Sequence, residues 1–178
     1  MTGVVITGGP GSGKTSLIEA LADAGHPVEP EAGRAIIRRQ QAEDGQALPW
    51  RDRALFARRM LEHDIEAHER SRSAAGLVFH DRGVPDVIGY LTLCGLPIPD
   101  HLSQAAAALR YHPKVFIAPP WPEIFGQDAE RRQDFDEAKR TFDAMAAVYP
   151  TYGYELVEMP KATVAERAAF VLDHLGLV

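Results

Sequence analysis

The stretch VVITGGPGSGKTSLIEAL, residues 4–21, decides the fold of this chain. Its opening run, Val4 to Thr7, is apolar and β-branched, which predicts a buried strand. Apolar residues then recur at helical spacing from Thr15 to Ala24. Glycines and a proline separate the two segments, and the pattern G-x-x-x-x-G-K-[ST] runs from Gly8 to Thr15. A glycine-rich loop between a strand and a helix predicts a binding site for phosphate groups.

The chemistry of this loop suits a nucleoside triphosphate and Mg²⁺. Glycines allow successive backbone N–H groups to point at one place, where the helix N-terminus also favours negative charge. We expect Lys14 to reach the β- and γ-phosphates as a catalytic charge stabiliser, and the Thr15 hydroxyl to bind Mg²⁺. ATP is favoured over GTP because no N-K-x-D or T-K-x-D segment is present. The residues expected to contact the nucleotide are Gly9, Pro10, Gly11, Ser12, Gly13, Lys14, Thr15 and Ser16.

The remaining sequence alternates between strand and helix patterns. Short apolar runs predict strands around Val28 and in GLVFHD, KVFIAPP and YELVEM. Helical patterns cover residues 32–42, 51–72, 103–111 and 163–175. This alternation predicts an α/β fold with a largely parallel sheet covered on both faces and with ligands at the carboxyl ends of the strands. The length of 178 residues suits a single domain.

An acid follows the strand pattern LVFHD, at the edge where the phosphate loop is expected. Asp81 could bind Mg²⁺ or accept a proton there, and Arg82 next to it could grip an acceptor. A structural alternative is that Asp81 caps the helix that begins near Val84. His80 points to the opposite face of the strand and is expected to be packed in the core.

Two further sets of charged residues are candidates for the site. Glu31 and Arg34 follow the second strand; the acid could bind a sugar hydroxyl, or it could complete a helix terminus with Arg34 in solvent. Arg131 and Arg132 follow the proline-rich end of the KVFIAPP strand. Arg131 could close over the phosphates as part of a lid, or the segment could be an exposed helix start.

Composition limits the other classes of function. The formal net charge of −6 argues against a large nucleic-acid surface, although a local basic pocket is compatible with it. No apolar run approaches the roughly 18 residues of a membrane span, and no leader pattern is present, so we expect a cytoplasmic protein. Cys94 is the single cysteine and is expected to fill the core. The sequence does not indicate the oligomeric state.

Several segments together resemble a family of small AAA-type P-loop ATPases related to the ribosylnicotinamide kinase domain of NadR. The matching segments, between residues 3 and 175, are GGPGSGKTSL, PEAGR, FHDRGVPDVIGYL, YHPKVFIAPPW, DAERR and GYELVEMPKATVAER. The resemblance implies a three-layer P-loop NTPase fold of the nucleoside and nucleotide kinase type. That fold has a five-stranded parallel sheet and a short lid, here about residues 121–135, which contains Arg131.

The same resemblance implies sites for the two substrates. It places PKATV, residues 160–164, near the adenine. It also places four residues near a pocket for the phosphoryl acceptor: Glu31, Arg34, Arg82 and Asp86. The nicotinamide riboside kinases carry a longer acidic and aromatic segment after the second strand, whereas this chain has EAGRAIIRRQ. The identity of the acceptor therefore does not transfer.

Two functions are compatible with these residues. A kinase would move the γ-phosphate of ATP to a small hydroxylated acceptor, with Asp81 as base or metal ligand and with Lys14 and Arg131 stabilising charge. An ATPase or nucleotide-dependent switch would act on a protein partner, and Asp81 would then hold only Mg²⁺. The acids and arginines exceed what hydrolysis needs, which favours the kinase. A ring-forming motor is disfavoured because 178 residues leave no room for an additional helical domain.

Overall fold

A five-stranded parallel sheet forms the centre of the computed structural model, which describes residues 2–126 and 134–177. The strands are β1 (Gly3–Gly8), β2 (Val28–Glu29), β3 (Val78–Asp81), β4 (Lys114–Ala118) and β5 (Glu155–Glu158). Their order across the sheet is β2-β3-β1-β4-β5, and every neighbouring pair is parallel. The chain places β2 and β3 on one side of β1 and then crosses over to β4 and β5 on the other side. The carboxyl ends of β3, β1 and β4 therefore border the crevice in which open α/β sheets bind ligands.

Helices cover both faces of the sheet. The α-helices in the described part of the chain are α1 (Lys14–Asp23), α2 (Ala32–Ala42), α3 (Arg53–Arg72), α4 (Val84–Leu93), α5 (Asp100–Ala108), α6 (Phe135–Thr151) and α7 (Val164–His174). A 3₁₀ turn, Pro122–Ile124, follows β4. No helix among the described residues is long and apolar enough to cross a membrane.

Alternate residues of β1 divide the core into two layers. Val4 and Ile6 pack with residues of α1 and α7, while Val5 packs with residues of α3, α4, α5 and α6 on the other face. All three β1 residues are completely buried, as expected for the central strand of a parallel sheet. Two helical layers around one parallel sheet confirm the predicted three-layer α/β fold.

Two helices differ from the sequence prediction. The alanine-rich helix begins at Asp100, earlier than predicted, and ends at Ala108, so Tyr111 lies beyond it and is buried in the core. On α3 the helical spacing of Ala54, Ala57, Leu61 and Ile65 predicts one buried stripe, but Ala54 is exposed, and Asp64, which lies outside that pattern, is buried. A carboxylate interrupts the apolar pattern, and the pattern alone therefore placed Asp64 outside the buried face.

Candidate functional site

The phosphate loop connects β1 to α1 at the central crevice of the sheet. Lys14, whose residue surface is only 5 % exposed, donates a hydrogen bond from Nζ to the Gly9 carbonyl oxygen at 2.7 Å. The Lys14 Nζ also lies 3.4 Å from the Ser12 hydroxyl, which itself donates to the Gly9 carbonyl at 2.8 Å. Thr15 and Ser16 are exposed at the first turn of α1. The ammonium group is thus held over the loop while the helix N-terminus stays accessible.

Two glycines give the loop its shape. Gly11 has φ 67° and Gly13 has φ 76°, both in the left-handed region that other residues adopt at a cost. A Cβ atom on Gly11 would lie 2.5 Å from the Phe125 ring, and one on Gly13 would lie 2.6 Å from Arg167 Nη1. Phe125 and Arg167 therefore pack directly against the loop backbone, at positions where any side chain would clash with them.

Two cavities meet beside this loop. The smaller, about 260 Å³, is lined by residues 10–15 of the loop together with Glu31, Arg34 and residues 124–126. The larger, about 490 Å³, extends between the helices on the other side of Glu31. Pro10 and Glu31 line both cavities. A phosphate group at the loop would therefore be next to a molecule in the larger cavity, with Glu31 between the two compartments.

Glu31 is held at this junction by Arg82. Arg82 Nε donates to Glu31 Oε1 at 3.1 Å, and the two side chains are 15 % and 9 % exposed. Arg34 Nε lies 3.6 Å from the other carboxylate oxygen of Glu31. Glu31 stands at the N-cap position of α2, but its side chain makes no capping hydrogen bond. The geometry thus supports a role for Glu31 in the site rather than as a helix cap.

Arg82 adopts an uncommon backbone conformation directly after β3. Its φ is 77°, a left-handed value that usually costs about 1–3 kcal/mol for a residue with a side chain. The Arg82 backbone N–H donates to the Ile6 carbonyl at 3.0 Å, and its guanidinium pairs with Glu31 and Asp86. Burial by itself lowers the pKa of Arg82, but the carboxylates of Glu31, Asp86 and Asp81 raise it by more, so the pKa lies above its usual value. The guanidinium stays charged on the wall of the larger cavity.

The Asp86 carboxylate holds the Arg82 guanidinium in place. Its Oδ1 accepts from the Thr7 hydroxyl at 2.5 Å and from Arg82 Nη1 at 3.0 Å. Its Oδ2 accepts from the Gly83 N–H at 3.0 Å and from the Tyr149 hydroxyl at 2.5 Å. Asp86 is buried, and these bonds connect β1, α4 and α6 through one carboxylate. Asp86 lines the larger cavity, and its contact with an acceptor stays a prediction. Its hydrogen bond to Arg82 gives it a role in orienting that guanidinium.

Asp81 ends β3 beside the phosphate loop. It is buried and aligns with Ile6 of β1, and its charge acts on Arg82. The N-cap residue of α4 is Gly83, whose N–H is bonded by Asp86, so the alternative that Asp81 caps this helix is wrong. A carboxylate at this strand end and the exposed Thr15 hydroxyl are both oxygen ligands of the kind that Mg²⁺ prefers. These residues therefore fit the predicted metal site.

His80 and Cys94 were both expected to be structural. His80 is buried, packs against Tyr111 with ring centroids 5.3 Å apart, and has a pKa lowered to about 4 by burial, which agrees with a core position. Cys94 is only partly buried and lines the larger cavity, so the expectation that it fills the core is wrong. The cause is the position of α4, whose C-terminal end borders the cavity.

The larger cavity combines aromatic and charged walls. Phe56 and Tyr90 form an edge-to-face pair with centroids 5.6 Å apart, and Trp50 is 56 % exposed at the same cavity. Charged residues that line the cavity are Glu31, Arg53, Asp64, Arg82, Asp86, Glu137 and Arg140. A ligand with a flat apolar part and several polar groups would match this lining.

Asp64 is one of the charged cavity residues that sequence reasoning missed, together with Arg53, Glu137 and Arg140. It lies on α3, is 8 % exposed, and its Oδ1 is 3.6 Å from His63 Nδ1. Burial is the largest influence on its pKa and raises it to about 6, against a smaller lowering by His63. The available signal was an acid three residues after Leu61 and seven after Ala57, both on the buried face of α3.

We expect the cost of ionising Asp64 to appear in the pH dependence of stability. Because its pKa is raised from 3.8 to about 6 in the folded state, the stability it contributes is complete below pH 4 and is lost as pH rises through 6. Relative to Asp64→Asn, the wild-type protein should therefore lose about 2–3 kcal/mol of unfolding free energy between pH 4 and pH 8.

Urea unfolding of both proteins across that pH range measures this difference. Asp173→Asn, which replaces an exposed carboxylate of α7, serves as the control. A stability difference between wild type and Asp64→Asn that stays constant from pH 4 to pH 8 would contradict the assigned pKa.

The predicted lid is only partly within the described residues. Its first residues form the 3₁₀ turn Pro122–Ile124, and its end joins α6 at Phe135. Phe125 and Phe135 contact each other edge to face, with ring centroids 5.4 Å apart. Arg131 and Arg132 lie outside the described residues, and their role in closure stays a prediction.

A five-stranded parallel sheet with a glycine-rich loop after its central strand is a P-loop fold of the kind found in nucleoside and nucleotide kinases. Residues 3–167 match the family described as an AAA domain, and the chain belongs to that family. This confirms the resemblance derived from the sequence. No protein of curated function matches the sequence.

Solved structures with low sequence identity share this fold. The NadR protein in complex with NR is 18 % identical, with a TM-score of 0.71 over 99 % of this chain and 52 % of NadR, so the chain spans about half of that protein. Deoxyadenosine kinase from M. mycoides is 12 % identical, with a TM-score of 0.69 over 99 % of this chain and 100 % of the kinase. Thymidylate kinase from Ehrlichia chaffeensis is 16 % identical, with a TM-score of 0.65 and 98 % coverage of both chains.

Proposed function

We propose that this protein is an ATP-dependent kinase that phosphorylates a hydroxyl group of a small metabolite. The observation that carries the proposal is the meeting of two cavities at Glu31, one lined by the phosphate loop and the other by aromatic and charged side chains. A protein that only hydrolyses ATP needs the first cavity and a water molecule. The second cavity, about 490 Å³, has the size of a small-molecule site.

The phosphate loop would hold the triphosphate of ATP. Backbone N–H groups at the start of α1 favour the anion, and Lys14 would exchange its bond to the Gly9 carbonyl for phosphate oxygens. Mg²⁺ held by the Thr15 hydroxyl and the Asp81 carboxylate would neutralise charge on the β- and γ-phosphates. Arg131 stays a proposed charge stabiliser for the transferred group.

Glu31 is the best-placed proton acceptor of the described residues. The acceptor hydroxyl would attack the γ-phosphorus, the bond from phosphorus to the β,γ-bridging oxygen would break, and the hydroxyl proton would pass to Glu31. The Nε atoms of Arg82 and Arg34 lie 3.1 and 3.6 Å from the two Glu31 carboxylate oxygens and orient this carboxylate. The sequence prediction named Asp81 as base or metal ligand, and its place at the strand end beside the phosphate loop favours the metal role.

ADP release from MgATP in the presence of nucleosides, sugars and vitamin precursors tests the proposal. One compound should stimulate release strongly, and its phosphorylated form should accumulate in equal amount. Glu31→Gln should lower the stimulated rate by at least about 100-fold while basal hydrolysis changes little, since loss of a general base costs about 10²–10⁴.

The matched control is Glu43→Gln, an exposed acid at the C-cap of the same helix, which should leave both rates unchanged. A steady basal rate without any responding compound would instead support the ATPase or switch acting on a protein partner. Stimulation that survives in Glu31→Gln would remove Glu31 as the base.

A further inference from the structure

Asp64 is a buried carboxylate in the lining of the larger cavity. The residue is 8 % exposed, and neither of its carboxylate oxygens is sealed from solvent. Its one ion pair among the described residues is with His63, whose Nδ1 lies 3.6 Å from Asp64 Oδ1, beyond hydrogen-bonding distance. A ligand in the cavity can therefore reach this carboxylate and donate hydrogen bonds to it.

Helix α3 places Asp64 at the end of the cavity opposite its exposed rim. Arg53, Phe56, Met60 and Asp64 all line the cavity and share one face of the helix. The helical rise separates Arg53 from Asp64 by about 16 Å. Arg53 is exposed, whereas Asp64 is buried. The cavity thus follows this face of α3 from an open end to a buried end.

The other carboxylates near the buried end already interact with protein groups. Asp86 accepts four hydrogen bonds through its two oxygens, and Glu31 pairs with Arg82 and Arg34. Asp86 and Glu31 share the Arg82 guanidinium. Asp64 adds a further negative charge, and the charge of Asp86 contributes to its raised pKa. The balance of charge at this end favours a positively charged ligand group.

The free energy needed to ionise Asp64 points the same way. Burial raises its pKa to about 6, so the carboxyl is largely ionised at neutral pH. A buried charge is normally stabilised by a partner of opposite charge or by hydrogen bonds. The described residues give Asp64 no hydrogen bond, and a buried polar group of this kind calls for a specific cause. A cationic group of a ligand in the cavity would stabilise the ionised form.

We propose that Asp64 is a specificity residue of the acceptor site and binds a positively charged N–H group of the acceptor, such as an ammonium, amidinium or guanidinium. Hydrogen bonds between such groups and carboxylates are stronger than neutral ones. Arg82 contacts Glu31 and acts on Asp64, so it lies between the proposed base and this second contact. Phe56 and Met60 would pack against the apolar part of the acceptor. This inference rests on the proposed function, in which the larger cavity holds the acceptor.

Benzamidine, benzamide and benzoate separate charge from shape, because they share one ring and differ in one substituent. The first carries a cationic N–H group, the second a neutral N–H group and the third an anion. NMR titration of the protein at pH 8, where Asp64 is ionised, measures the three dissociation constants. Wild-type protein should bind benzamidine at least about tenfold tighter than benzamide, since a hydrogen bond between two charged groups replaces one with a single charge.

Asp64→Asn keeps the size of the side chain and removes its charge. It should weaken benzamidine binding at least about tenfold, change benzamide binding by less than about threefold, and leave benzoate binding equal or tighter. Asp173→Asn makes the same replacement at an exposed position of α7 and should change none of the three affinities.

Thermal unfolding at pH 8 checks the fold of the variant. Because Asp64→Asn removes an unfavourable buried charge, its Tm should equal or exceed that of wild type. If the asparagine variant does not fold, Asp64→Ser provides the same comparison of the three compounds.

Three results would overturn the inference. Equal affinity of the wild-type protein for benzamidine and benzamide would exclude a site for a positive charge. Benzamidine binding that Asp64→Asn does not weaken would remove Asp64 as the contact, and equal losses for all three compounds would assign Asp64 to the shape of the cavity. The titrations contain no ATP, so they are independent of the kinase assay. Failure of every compound to stimulate ADP release would contradict the proposed function and would not alter the titration result.

Discussion

Replacement of Lys14 by alanine is expected to lower ATP turnover by at least about a thousandfold while the protein stays folded. The ammonium group is held over the phosphate loop by the Gly9 carbonyl at 2.7 Å, where it can transfer to phosphate oxygens. Charge stabilisation of this kind is commonly worth about 10²–10³ in turnover for each donor, and a full charge in a buried site is worth more. ADP release from saturating MgATP, with and without a stimulating compound, measures the loss.

Two hydrogen bonds of Lys14, to the Gly9 carbonyl and the Ser12 hydroxyl, lie within its own loop, so we expect the fold to tolerate this change. The Gly9 carbonyl would still accept from Ser12. Lys139→Ala, which removes an exposed lysine of α6, is the control for loss of a positive charge. A Lys14→Ala protein with the same melting temperature and undiminished turnover would contradict the assignment of the phosphate loop.

Local patterns were sufficient to predict the α/β fold class, while the five-stranded sheet followed from the family resemblance. Residues 4–21 contain the strand, the loop and the helix start in one continuous segment, so their arrangement follows from short-range geometry. The acid at the end of β3 could also be found, because a strand that ends at Asp81 must deliver it to the same sheet edge as the loop. For Glu31, the sequence predicted a position just after the second strand but left two alternatives for its function.

The remaining features depend on contacts between segments far apart in the chain. Arg167 meets Gly13 across 154 positions, and Tyr149 meets Asp86 across 63, so neither pair has a signature in a local window. Asp64 was hidden for a different reason, since a carboxylate on the buried face of a helix resembles a break in the apolar pattern. Burial decides the importance of these two contacts and of Asp64, and it becomes visible only once the helices are packed.

The second large effect is expected for Asp86→Asn, which should destabilise the protein by about 3–5 kcal/mol. The carboxylate accepts four hydrogen bonds in a buried position, including one from the charged guanidinium of Arg82. Asparagine has nearly the same volume but replaces one acceptor oxygen by a donor, which would oppose two of those four donors. Removing one partner of a buried charged pair typically costs about this much.

Urea unfolding at constant pH measures this loss, and Tyr149→Phe is the graded comparison because it removes only one of the four donors. It should cost about 2 kcal/mol, the value of a hydrogen bond to a charged group. Transfer activity should fall in Asp86→Asn at temperatures where the variant is folded, since Arg82 then orients Glu31 less well. If Asp86→Asn unfolded at the same urea concentration as wild type, the hydrogen bonds of this carboxylate to β1, α4 and α6 would not stabilise the fold. Another interaction would then have to stabilise the left-handed backbone conformation of Arg82.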